Sequence, residues 1–305
     1  MHKLILFSLS LIVLIACDNK NDKSKSIQKT GNLLIDTTIN YLPVVICELD
    51  DELFENSALI FWNEKFLTIN DSGGLPIVYS FDENCKLVKR TTISNATNND
   101  WEDLTHDKNF LYIGDFGNNA GGRKDLKVYK VPLENILKEK TERQAETIEF
   151  SYSSQNRFNY KWATTPFDCE AILEFKDSLY IFAKDWQDNK TKLYNLPKTP
   201  NNYILEAKDS FNVNGLVTGA DSYNNKIALC GYSKYVPFVW IFWDFENSNF
   251  FSGNKLRINL PDFFSAQIEG ICFINDSTIM LSNENSGFVQ SILKVSLNEL
   301  GIFSE

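Results

Sequence analysis

The sequence predicts an all-β fold, a β-propeller of five blades closed by an N-terminal strand, and three observations carry that prediction. Short runs rich in Phe, Tyr, Ile and Val, broken by Asn, Asp, Gly and Pro, dominate the chain. A unit of about fifty residues recurs five times. A strand-like run at residues 41–49 (YLPVVICEL) belongs to no unit. Four short antiparallel strands at this period describe a propeller blade.

Each unit opens with an acidic residue ahead of a small apolar run. These residues are Glu55, Glu102, Glu170, Asp221 and Glu269, at intervals of 47, 68, 51 and 48. A second strand ends in a polar turn at 70–73, 114–119, 184–185, 231–232 and 283–287. The third strands are PIVYSFD, LKVYKVP, TKLYNLP, FVWIFWD and SILKVSL; KLVKRTTI, ETIEFSY and KLRINL supply fourth strands. The fifth unit runs out near Leu297 without a fourth strand, so residues 41–49 are expected to supply it and close the ring. Closure removes the open sheet edges that a linear array would expose. The long second interval, with residues 153–167 unassigned, leaves room for a six-bladed count. The competing fold, a pair of β-sandwiches, does not call for acidic starts at this period. Residues 133–146 (LENILKEKTERQAE) form the one stretch that reads as a helix.

Ahead of the repeats, Met1-His2-Lys3 and thirteen apolar or small residues from Leu4 to Ala16 have the size of a secretory signal. A stable membrane span needs roughly 20 residues. Leu14-Ile15-Ala16-Cys17 resembles a lipobox, so cleavage before Cys17 and lipidation of its thiol are expected. Residues 18–30 (DNKNDKSKSIQKT) hold almost nothing to bury and read as a tether. The expected organisation is signal peptide 1–16, lipidated Cys17 and tether 17–31, and a single propeller 32–305. The expected location is the bacterial cell envelope, lipid-anchored outside the cytoplasm, with the outer membrane favoured.

A formal charge of −10 makes nucleic acid an unsuitable partner. After Cys17 come Cys47, Cys85, Cys169, Cys230 and Cys272, an odd number without a C-x-x-C pair. At least one thiol therefore stays free, and Cys169, Cys230 and Cys272 sit in apolar runs suited to packing. His106 is the sole histidine after Cys17, which excludes multi-histidine metal sites and leaves oxygen ligands for any cation.

In a propeller the innermost strands line a central channel. Glu55, Glu102, Glu170, Asp221 and Glu269 would converge there, and carboxylates so placed repel unless protonated, bonded to amides or sharing a cation. Calcium, which accepts six to eight oxygens, suits such a ring. The plainer alternative is that these residues cap strand starts and bond neighbouring blades. Asp71, in a Gly-rich turn, and Asp115, Asn118 and Arg123, in DFGNNAGGR, form candidate ligand loops of ordinary turn composition. Arg123 and Lys184 are the candidates for holding an anionic group. The aromatic stretch 232–251 offers either a docking surface or blade core.

NDSGG, IVYSFD, NNDWEDL, LYIGDFGNN, CEAI, VTGAD and IEGICF, in that order, resemble a group of secreted bacterial propeller proteins. That group is related in style to the esterase-like phytase and SdiA-regulated propeller families. More distantly, Glu269-Gly270-Ile271 is similar to the metal-binding glutamate motif of gluconolactonase-like propellers. That resemblance implies a channel calcium supporting hydrolysis of lactones or phosphate esters. Two functions are therefore expected. One is a monomeric binding or scaffold lipoprotein with a channel calcium, engaging a small anionic molecule or a protein. The alternative is a metal-dependent hydrolase of a small ester, lactone or phosphoester, with Glu102 or Glu269 as base.

Overall fold

A computed structural model describes residues 34–301; the signal segment, Cys17 and the tether lie outside the described residues. Five sheets form five blades, as the repeat predicts. Their innermost strands are Ile60–Trp62, Trp101–His106, Asp168–Phe175, Leu216–Tyr223 and Ile268–Asn275. Each continues outward through antiparallel neighbours. The alternation of the strand runs explains the packing. Inward-facing apolar residues of adjacent blades meet in continuous layers, such as Trp101, Leu104 and Ile113 of blade 2 against Ile60, Leu67 and Val78 of blade 1. Trp101 is fully buried, and its indole N–H donates to the Thr97 carbonyl at 3.0 Å. Truncating such a residue costs about 3–5 kcal/mol.

The closing strand is Val44–Glu48, paired antiparallel with Ser291–Ser296 as the fourth strand of blade 5. A disulfide joins Cys47 on this strand to Cys85 in blade 1, with Cα atoms 6.1 Å apart. The ring is therefore fastened both by a ladder and by a covalent bond. In the chain-entropy account, a bridge spanning 38 residues contributes about 4 kcal/mol. Cys169, Cys230 and Cys272 are buried free thiols.

Residues 133–146 are not a helix. Leu133–Asn135 makes a single 3-10 turn, Glu142–Arg143 pairs in parallel with the outer strand of blade 1, and Glu146–Tyr152 is the fourth strand of blade 2. The open sheet edge of blade 1 outcompetes helix propensity here. Thr91 Oγ1 donates to the Ile136 carbonyl at 2.8 Å, while Leu133 and Ile136 enter the core. Two other segments cover blade edges in the same parallel manner, Asn202–Leu205 on blade 2 and Asp36–Asn40 on blade 4.

The innermost strands of blades 2 to 5 each carry a bulge near their start, at Glu102, Glu170, Thr218 and Glu269. A bulge inserts one unpaired residue and turns two consecutive side chains toward the same side. Ser57 plays the corresponding part in blade 1: its hydroxyl donates to the Trp101 carbonyl at 3.0 Å, as Thr218 Oγ1 donates to the Ile268 carbonyl at 2.5 Å. The next residue in each blade is Ala58, Asp103, Ala171, Gly219 or Gly270. Small residues are required at this level. A Cβ on Gly219 would lie 2.7 Å from the Glu269 carbonyl oxygen, and one on Gly270 would lie 2.7 Å from the Ala58 backbone. Asp103 alone has length, and it fills the axis.

Candidate functional site at the channel mouth

Channel-facing N–H groups of the inner strands have no partner strand and need acceptors. Asp103 supplies three. Its Oδ1 accepts from Leu104 N at 2.8 Å, and its Oδ2 from Ile172 N at 2.9 Å and Ala220 N at 3.2 Å, tying blades 2, 3 and 4. Burial pushes its carboxyl up, and the three donors pull it back.

Above this plug the mouth opens into a cavity of about 350 Å³, whose lining includes Asp71, Glu102, Glu170, Lys184, Glu269 and Glu284. Of the acidic repeat residues, Glu102, Glu170 and Glu269 meet there because they occupy equivalent bulges. Glu55 is not part of that lining, although its charge raises the Asp71 and Glu284 carboxyls. It is exposed, two residues before Ser57, and its carbonyl accepts from Asp71 N at 2.9 Å. Asp221 lies three residues beyond Thr218 and faces the opposite end of the channel. There it accepts from Phe273 N at 2.8 Å and lines a cavity of about 220 Å³ with Thr105, His106 and Glu174.

The three convergent glutamates differ in their partners. Glu170 is paired with Lys184 at 2.8 Å, both fully enclosed. Lys184 also lies 5.0 Å from the Trp186 ring centroid and 5.8 Å from that of Tyr232. Lys184 pulls the Tyr232 phenol down, and burial together with Glu269, Glu170 and Asp168 carries it up to about 12. Among the described residues Glu269 receives only the Gln267 amide, at 3.4 Å; burial pushes its carboxyl up to about 8. Glu102 is 6% exposed and has no hydrogen bond or ion pair among the described residues. Burial, then Glu170, Asp71 and Asp100, push its carboxyl well above the usual range.

Ligand atoms of Glu102, Asp71 and Asp100 all lie within 4.8 Å of one another. Local structure brings them there. The Asn98 amide donates to the Asn70 and Asp71 carbonyls, both at 2.9 Å, clamping the first turn onto blade 2. Asp100 is held by its backbone, with N–H to Asp115 Oδ1 at 3.2 Å and carbonyl accepting from Phe116 and Gly117. Gly117 leaves these carboxylates their places: a Cβ there would lie 2.5 Å from Asp100 Oδ2 and press against Glu102. Burial pushes Asp100 up to about 7, with Asp71 adding to the effect.

Arg123 organises this loop. Its guanidinium reaches Asp115 Oδ1 at 2.8 Å and the Gly117 carbonyl at 3.0 Å, while its Nε reaches Asp125 at 3.2 Å. Asn118 is equally engaged, donating its N–H to Asp168 Oδ1 at 2.6 Å and its amide to the Phe167 carbonyl at 3.1 Å. Asp115 is buried beneath, with Oδ2 unpartnered among the described residues. Asp100, Glu284, Trp162, Trp186 and Tyr232 complete the mouth, and none stood among the expected site residues. Trp162 comes from the unassigned stretch 153–167, which the Ala163 N–H ties to the Asn119 carbonyl at 3.0 Å.

Three oxygen donors around one point, crowded and unneutralised, suit a hard cation such as calcium. Glu102 lacks any other partner among the described residues, and Gly117 leaves the carboxylates room, so the residues present fit one.

No protein-family model and no curated protein matches the sequence. Among solved structures, the chain is similar to the PQQ-bound form of aldose sugar dehydrogenase from Streptomyces coelicolor. That match has 7% identity, covers 83% of this chain and 97% of the other, and has a TM-score of 0.52. Glutaminyl cyclase from Myxococcus xanthus is similar at 11% identity, covering 83% and 96%, also with a TM-score of 0.52. At these identities the likeness is one of fold. The chain is a five-bladed β-propeller with an acidic channel mouth.

Proposed function

We propose that this protein is a calcium-binding propeller of the cell envelope, lipid-anchored through Cys17, that holds a small ligand at the channel mouth as a binding module. The observation carrying the reading is the convergence of Asp71, Asp100 and Glu102 around one point, with the buried Glu102 carboxylate unpartnered. These three residues would hold the ion, and a bound calcium would supply a positive anchor for a ligand oxygen. Calcium content of the purified chain, with calorimetric titration after chelation, tests this. One ion per chain is expected, weakened at least about a hundredfold by Glu102→Gln; a chain that takes up no calcium ends the reading.

A metal-dependent hydrolase is the second reading, favoured by Glu269. Its carboxyl, pushed up to about 8, is poised to exchange a proton near neutral pH. A calcium-loaded chain that hydrolyses no ester, lactone or phosphoester of a broad panel excludes it.

A further inference from the structure

Beside the acidic well the same face opens into a cleft of about 550 Å³, lined by Trp186, Tyr232, Tyr235, Gln267, Asn189 and Asn214 among others. Cleft and well share Trp186, Tyr232 and Gln267, so a molecule in the cleft reaches the carboxylates of the well. The well's charge is one-sided. Its lining holds Asp71, Glu102, Glu170, Glu269 and Glu284 against one amine, Lys184, which Glu170 already neutralises. With Asp71 and Glu102 assigned to the cation, Glu269 and Glu284 remain, and neither forms an ion pair among the described residues. Glu102, buried and unpartnered, shows how far the chain leaves this well uncompensated.

The walls are aromatic, and the Lys184 ammonium lying over Trp186 and Tyr232 demonstrates that these rings solvate a cation. At the rim, Tyr235 is 68% exposed and rests against the Phe264 ring at 5.9 Å. It sits with Lys234 in a two-residue hairpin turn at φ +69° and +49°. Asn-Gly ordinarily fills such turns, and a bulky residue there is strained. The chain tolerates that strain while presenting an aromatic ring at the cleft.

We propose that the cleft binds a small organic cation, its ammonium group seated between Glu269 and Glu284 against Trp186 and Tyr232, its organic part along Tyr235. This rests on the channel mouth being a ligand site and adds the ligand's charge and class.

The test titrates the purified full chain with benzyltrimethylammonium, its neutral isostere neopentylbenzene in detergent, and benzylphosphonate. Each titration is run with calcium and with chelator, read by calorimetry and tryptophan fluorescence. Saturable binding of the ammonium is expected, at least about tenfold tighter than either comparator. It should weaken about tenfold or more in Glu284→Gln and several-fold in Tyr235→Asn, a rim change that suits a positive φ and leaves the core untouched. Ammonium binding that persists in a chain taking up no calcium supports this inference while the metal reading fails. Calcium uptake without ammonium preference overturns this inference alone. Ammonium binding indifferent to Glu284→Gln and Glu269→Gln also overturns it, because the site then lies elsewhere.

Discussion

Glu102 and Asp103 are adjacent acids on one strand, both buried, both facing the channel because a bulge separates Trp101 from Asp103. Asp103 accepts three backbone N–H groups from three blades, whereas Glu102 accepts none among the described residues. A buried carboxylate whose lone pairs are filled by the fold is a fastener. One left empty beside two more acids is held there against its own desolvation cost, which points to an outside partner. Glu170, matched to Lys184, belongs with the fasteners; Asp71 and Asp100 belong with Glu102.

The sharpest way to break this contrast is the same chemical change at both positions. Asp103→Asn keeps one acceptor oxygen but turns an NH2 toward N–H groups that it cannot satisfy. Each buried donor left unpaired costs roughly 1–3 kcal/mol, so a loss of about 4 kcal/mol is expected in denaturant unfolding. A loss below about 1 kcal/mol would mean that Asp103 does not fasten the blades.

Glu102→Gln should be nearly silent by the same measurement without calcium, within about 1 kcal/mol of the unaltered chain. Burial and four acidic neighbours already favour the protonated, amide-like form of Glu102. With saturating calcium the unaltered chain should gain about 2–3 kcal/mol, as ligand binding at about a hundred times Kd provides, and the variant should not. Equal gains in both chains would move the ion away from Glu102.

The sequence makes the blades legible through strand runs, polar turns and the spare N-terminal run that became the closing strand Val44–Glu48. It places Glu102, Glu170 and Glu269 at one level but misplaces Glu55 and Asp221. A strand of apolar residues reads the same after a shift of two or three positions, so the acid nearest each repeat start need not occupy the bulge. Ser57 and Thr218 hold that place in blades 1 and 4. Asp100 stood in view beside Glu102 in NNDWEDL, yet its approach to Asp71 depends on the Asn98 clamp between blades. Trp162 left no signal, because a loop without periodicity carries none. Arg123 read as a ligand-binding cation, since sequence cannot show that Asp115 and Asp125 already hold it.

Asp221 is the intermediate case and yields the smallest effect. It is half-buried and accepts backbone N–H groups from Phe273 and Ser222, with His106 and Glu174 lining the same cavity and Asp103 and Cys272 nearby. Burial pushes its carboxyl up to about 7. Between about pH 4 and pH 7 the folded chain holds this proton while the unfolded chain has released it, so stability falls as pH rises through that window. Each tenfold difference in proton affinity between folded and unfolded chain is worth about 1.4 kcal/mol, and the partial exposure of Asp221 to solvent screens most of that. Asp221→Asn removes the titration while keeping an acceptor for Phe273 N. The variant should match the unaltered chain near pH 4 and exceed it by about 1 kcal/mol at pH 8, measured by urea unfolding in chelator. Parallel pH profiles for the two chains would show that Asp221 is ionised in the fold and belongs with Asp103 among the fasteners.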